Sequence, residues 1–172
     1  LKSFIQTTKD AGSKKFIIHA RKALLKKLSP KENLNIPPLK YEFVYKIKEH
    51  FKDDEIIING GIKTTDDIKN HLSKVDGVMI GRAIYHSPYF LAEIERDIFN
   101  NDNVPTRSEV MEKLIPYIQE QTSNGIQLNH IMRHTVGLFH GQNGSRIWKQ
   151  YLSKNMCIRG ADLQKVNHIM DQ

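Results

Sequence analysis

The chain has 172 residues, 26 Lys and Arg against 19 Asp and Glu, and one cysteine, giving a formal net charge of +7. That length allows one full domain or parts of two, while the lack of any run of about 18 apolar residues excludes a helical membrane span. Cys157 alone allows neither an intrachain disulfide nor a CxxC zinc pair, no charged-then-apolar leader suggests secretion, and the expected setting is cytoplasmic.

The chain begins at Leu1, which reads as the start of a piece excised from a longer protein. The first predicted strand is Phe16-Ile17-Ile18, ending in His19-Ala20-Arg21. It lies in a stretch from Ala11 to Lys31 with seven basic residues (Lys14, Lys15, Arg21, Lys22, Lys26, Lys27 and Lys31) and no acid. Dispersed lysines are ordinary solvated surface, whereas acid-free basic runs suggest a polyanion partner. An insertion with Ser29-Pro30 and Ile36-Pro37-Pro38-Leu39 follows, then a helix from about Tyr41 to Phe51 whose apolar face is Phe43, Val44, Ile47 and Phe51. The second strand, Ile56-Ile57-Ile58, ends in Asn59-Gly60-Gly61. A helix over Thr65–Leu72 comes next, with Thr64 or Thr65 as cap and Asp66 and Asp67 in its first turn. The third strand, Gly77-Val78-Met79-Ile80, ends in Gly81-Arg82.

Strands separated by helices must pair in parallel, and unbroken apolar runs of roughly five residues fit strands buried on both faces. Three strands cannot close a barrel, so they either finish one begun upstream or form a small open sheet. The strand ends favour the barrel, because the last two loops of such barrels commonly bind phosphate. Gly60, Gly61 and Gly81 lack a Cβ, so their amides could approach an anion closely. Arg82 carries a planar fork for phosphate oxygens, and helix N-termini follow both loops. A tight turn at Asn59-Gly60-Gly61, a surface Arg82 and a merely satisfied His19 are the plain alternatives.

The segment Asn100 to Pro105 reads as a linker. Helical spacing then dominates. Val110, Met111, Leu114, Ile115 and Ile118 share a face, with Pro116 expected to kink or split the helix. Asn129 caps a second helix bearing Ile131, Met132, Val136 and Phe139, closed by Gly141. Gly144-Ser145 opens a third with Ile147, Trp148, Tyr151 and Leu152, and Asp162 a fourth with Leu163, Val166, Ile169 and Met170. Short helices and short loops predict a small all-α bundle. His130, Arg133, His134 and Gly137 at i, i+3, i+4 and i+7 predict a basic face with a glycine for close approach to RNA, and Arg146 and Lys149 repeat it; a solvated face on a packing domain is the plain alternative. Asn124 to Ala161 is again free of acids. His130, His134 and His140 lack a nearby carboxylate, so no metal is expected.

The motifs FIIHARKA (Phe16 to Ala23), LSPKEN (Leu28 to Asn33), INGGI (Ile58 to Ile62), DGVMIGRAIY (Asp76 to Tyr85) and HIMRHTVGLFHGQNGSRIWKQYLS (His130 to Ser153) together resemble the A subfamily of tRNA-dihydrouridine synthases. The resemblance implies an α/β fold: the C-terminal part of an FMN-binding (β/α)8 TIM barrel over residues 1–99, a linker at 100–107 and a helical tRNA-binding domain over 108–172. It implies reduction of a D-loop uridine in tRNA to 5,6-dihydrouridine with NADPH as electron donor, by a full-length protein expected to be a monomer. By motif, His19 looks like a flavin contact, Asn59, Gly60 and Gly61 like the first flavin loop, and Gly81 and Arg82 like phosphate holders. Arg21, Lys22, Lys31, Arg133, Arg146 and Lys149 fall in stretches resembling those that meet tRNA. The family's proton-donating cysteine is expected upstream of this chain, and Cys157 lies outside its motif. Leu34 stands where the family often has arginine, and Trp148-Lys149-Gln150-Tyr151 where it has a WRRY-like run. Another FMN barrel oxidoreductase, or a non-catalytic RNA-binding piece, are the rival readings.

Overall fold

In the computed structural model the described residues are 1–24, 27–33, 35 and 37–155. The expected fourth helix, Cys157 and Leu34 lie outside them. The chain divides into two compact units, Leu1–Gly81 and Arg82–Gln172.

The first unit runs α1 (Lys2–Asp10), β1 (Lys15–His19), α2 (Pro30–Asn33), α3 (Tyr41–His50), β2 (Glu55–Asn59), α4 (Thr65–Leu72) and β3 (Gly77–Met79). Its strands pair in parallel in the order β1-β2-β3, with Phe16 opposite Ile56, His19 opposite Asn59, and Asn59 opposite Met79. Each strand is a short β-branched or apolar run, and α3 and α4 supply the crossovers that parallel neighbours require. Phe16, Ile18, Ile56 and Ile58 are buried, together with Ile5, Val44, Ile47, Phe51, Ile68 and Val75. The sheet departs from the expected two-sided burial: β1 alternates, and on its other face Ile17 is 56% exposed, as is Met79 at 47%. Covering one such side chain would contribute about 1.5–3 kcal/mol.

The helices also refine their predicted faces. Tyr45, not Phe43, joins the buried side of α3, because its hydroxyl shares a 2.8 Å hydrogen bond with Nδ1 of buried His71, while Phe43 stays exposed beneath Lys40. A buried hydroxyl with a partner is tolerated where an unpaired one is not. Thr64 caps α4 in a capping box with Asp67. Asp54 is buried against Lys9, and Asp76 accepts from both the Ile56 amide and Lys48 at 2.8 Å. For Asp76, burial favours protonation, but those two contacts outweigh it and hold the carboxyl below its ordinary range.

Burial pushes the His71 imidazole below its ordinary pKa, against Asp67, which raises it, and with Lys74, which lowers it. Folding therefore favours the neutral ring. Its contribution is complete above about pH 6.5 and is lost as pH falls toward the lowered folded value, because the unfolded chain then binds a proton the folded chain does not. Urea midpoints at about pH 7 and pH 5 should fall further for the wild type than for His71→Gln; equal falls would contradict this assignment.

The second unit contains α5 (Arg82–His86), α6 (Phe90–Phe99), α7 (Arg107–Ser123), α8 (Leu128–Met132) and α9 (Ser145–Asn155), and its described residues contain no strand. Met111, Ile118, Met132, Leu138, Trp148 and Leu152 form its core, with Tyr89, Leu114, Phe139 and Tyr151 packed around them. A Thr106–Glu109 capping box starts α7, which runs through Pro116 as one helix rather than splitting there. Helix α9 turns Trp148 and Leu152 inward and leaves Ile147 56% exposed, since residue 147 lies about 100° around the helix from 148. The expected linker is tied down: Tyr89 donates to the Pro105 carbonyl at 2.9 Å, and the Arg107 guanidinium stacks 3.7 Å from the centroid of the Tyr89 ring. The expected domain boundary near residue 100 thus falls inside this unit.

The largest departure follows Met132. The helix expected to reach Gly141 stops there, and the chain continues in turns whose amides reach back three residues: Thr135 to Met132, Leu138 to Thr135, and His140 to Gly137. Buried Trp148 donates to the same Thr135 carbonyl at 3.2 Å, so that oxygen accepts from both the Leu138 amide and the indole. His130, Arg133 and His134 stay exposed, but past Met132 no regular helix sets their spacing to Gly137. A Cβ at Gly137 would overlap the His86 carbonyl oxygen, so the close approach this glycine permits is to the protein's own backbone, not to RNA.

Candidate functional site

The parallel register aligns the C-terminal ends of all three strands. His19 of β1 pairs across from Asn59 of β2, and Asn59 in turn donates through Nδ2 to the Met79 carbonyl of β3 at 2.8 Å. His19 Nδ1 accepts from the Arg21 amide at 3.1 Å. Gly60 and Gly61 follow Asn59 with φ of +123° and +73°, a left-handed pair that glycine adopts without steric cost. A Cβ on Gly60 would stand 3.1 Å from Cε1 of His19, so the imidazole lies against the turn. The structure therefore brings His19, Asn59, Gly60 and Gly61 together. Gly81 is the exposed last residue of the first unit, and Arg82 opens α5 in the second.

Two expectations about this turn change. The space a Cβ on Gly61 would take is filled by Leu39, with the Tyr41 hydroxyl 3.1 Å away, so Gly61 is small because protein packs there. The α4 N-terminus is already served by the Asp67 carboxylate, which accepts from the Lys63 and Thr64 amides at 3.0 and 3.1 Å, leaving its dipole a poor anion site. The group an anion could meet is the turn's own amide. Tyr41 Oη donates to the Gly60 carbonyl at 2.9 Å, and in a trans peptide the next N–H points the opposite way, so the amide of exposed Gly61 is directed away from α3. Tyr41 and Leu39 escape sequence reasoning, because the turn they hold lies about twenty residues downstream of both; the one hint is the Tyr41–Tyr45 spacing on α3.

The basic residues separate by environment. Arg21 is half-buried, bridging backbone to Leu39, while Lys22 and Lys31 are exposed. Lys31 lies on α2, which is braced to the preceding loop: Asn33 Oδ1 accepts from the Leu24 amide at 2.7 Å, and its Nδ2 donates to the Leu28 and Ser29 carbonyls at 3.0 and 3.1 Å. In the second unit Arg133 Nε donates to the Asn129 carbonyl at 3.1 Å, and His134 Nδ1 lies 3.3 Å from the Tyr85 hydroxyl. Arg146 and Lys149 line an open concavity of about 620 Å³ with His140, Gln142, Ser145 and Ser153. No described helix is long and apolar enough to cross a membrane, and the described residues contain no cluster of three metal-ligating side chains.

A family model described as dihydrouridine synthase (Dus) matches residues 1–171. Among similar proteins, one from Haemophilus ducreyi named tRNA-dihydrouridine(20/20a) synthase is 50% identical over 159 residues, covering 92% of this chain and 49% of that protein. A Synechocystis protein of the same name is 46% identical, with 92% and 48% covered, and one from Vibrio cholerae is 44% identical over 172 residues, with 99% and 53% covered. The chain thus spans about half the length of the curated relatives it matches.

Proposed function

The chain belongs to the dihydrouridine synthase family, and on that premise we propose that it is the C-terminal part of an FMN-dependent enzyme that reduces uridines 20 and 20a of tRNA with NADPH. The observation that carries this reading is the extent of the match, which takes in both the strand-end turn and α9. The bare sheet face at Ile17 and Met79 supports it too, as the surface that the remaining strands of a (β/α)8 barrel would cover. In this reading residues 108–172, within the second unit, are the helical tRNA-binding domain, and the barrel portion extends to residue 99.

FMN, when bound, supplies the hydride chemistry. His19, Asn59, Gly60 and Gly61 would be its contacts on β1 and β2, with the exposed Gly61 amide toward its phosphate, and Gly81 and Arg82 would hold that phosphate, the arginine through charge-assisted hydrogen bonds. Arg21, Lys22, Lys31, Arg133, Arg146 and Lys149 meet the tRNA backbone, fixing the orientation of the RNA rather than reading bases. No residue of this chain is assigned as proton donor. Purified full-length protein should oxidise NADPH in step with uridine loss from an unmodified tRNA transcript; NADPH oxidation indifferent to tRNA would refute the reading.

The concavity on α9 gives a narrower expectation. Arg146→Ala with Lys149→Ala should weaken tRNA binding by the full-length protein and reduce the slope of log affinity against log salt by about 1.5 to 2, roughly one counterion per lost phosphate contact. An unchanged slope would remove these two residues from the interface.

A further inference from the structure

We propose that Tyr41 is a positioning residue that sets the direction in which the Gly60–Gly61 turn presents its amide to the flavin phosphate. The proposal rests on the reading of that turn as a phosphate contact, and adds the group that gives it a fixed orientation. Two glycines in succession with positive φ have the freest backbone a chain can offer, and left alone their shared peptide plane could rotate. Tyr41 removes that freedom. Its hydroxyl donates to the Gly60 carbonyl at 2.9 Å, turning that oxygen toward α3 and, through the trans peptide, the Gly61 N–H the other way.

The tyrosine is itself held. Its ring meets buried His71 edge-to-face with centroids 4.5 Å apart, and His71 also shares the 2.8 Å hydrogen bond with Tyr45. Leu39 packs against the same turn. Burial raises the Tyr41 pKa, Asp67 adds to this and Arg21 opposes it, so the hydroxyl keeps its proton and remains a donor. A tyrosine serving only as packing would not need its hydroxyl aimed at a carbonyl nineteen residues away.

The test compares FMN with riboflavin, which lacks the phosphate, on flavin-depleted full-length protein, by flavin fluorescence titration of the wild type and Tyr41→Phe. The variant keeps the ring and loses the hydroxyl. FMN affinity should fall about tenfold with riboflavin affinity unchanged. If the two ligands weaken together, or neither weakens, Tyr41 does not orient the turn and the proposal is overturned. If the wild type binds FMN no more tightly than riboflavin, it is the phosphate reading that fails, an outcome distinct from the others.

Discussion

Gly137→Ala is expected to lower the melting temperature by about 10 °C, corresponding to a loss of roughly 3 kcal/mol. The obstacle is not backbone conformation but space: the added methyl would overlap the His86 carbonyl oxygen and lie 3.2 Å from Pro88 Cδ. A flexible side chain could swing aside, but a backbone carbonyl moves only with its segment, here the one leaving α5. Residue 137 also sits in the string of three-residue turns that carries buried Leu138 and accepts the Trp148 N–H through Thr135. Relief of the overlap therefore disturbs the core of Met132, Leu138 and Trp148. A thermal melt within about 2 °C of the wild type would mean that the turns and α5 are not in contact as described.

Gly61→Ala should produce the largest effect on ligand binding, a loss of FMN affinity on the order of a hundredfold in the full-length protein. An alanine at φ +73° costs about 1 kcal/mol before any contact is counted, and its methyl would overlap Leu39 and crowd the Tyr41 hydroxyl. The turn can respond in two ways. It can leave the left-handed conformation, or it can push Tyr41 off the Gly60 carbonyl; both redirect the Gly61 amide. Riboflavin should bind nearly as before, because the damage is confined to the phosphate end. FMN binding at wild-type strength would show that the turn does not need this geometry.

How far the sequence anticipated these features depended on how local their causes are. The three parallel strands are written in short apolar runs between loop signals, and the α4 cap in Thr64 or Thr65 ahead of Asp66 and Asp67; both signals are short-range, and the strands form with Thr64 as the cap. The turns after Met132 are not legible in the sequence, because residues 129 to 141 carry helical spacing and the groups that meet the turns lie elsewhere in the chain: Trp148 shares the Thr135 carbonyl with the Leu138 amide, and the His86 carbonyl occupies the space beside Gly137. Helix α1 gives almost no signal, since only Ile5 of its nine residues is buried. The choice of Tyr45 over Phe43 required a partner, His71, on another helix. At the site, the motif residues His19, Asn59, Gly60 and Gly61 could be named from the strand ends they occupy. The groups that hold the turn, Tyr41 and Leu39, could not, because nothing in their own neighbourhood distinguishes them from core.

Family membership together with the strand-end turn and the basic surface of α9 makes one claim above the others, that the protein containing this chain reduces uridine in tRNA. Its most direct test is to express the full-length protein in a bacterial strain lacking dihydrouridine at tRNA positions 20 and 20a, and to map the modification by mass spectrometry of the digested tRNA. Uridines at those positions should gain two hydrogens, and the gain should be lost when Arg82 or Gly61 is replaced. Uridine unchanged at both positions, with the protein present and folded, would contradict it.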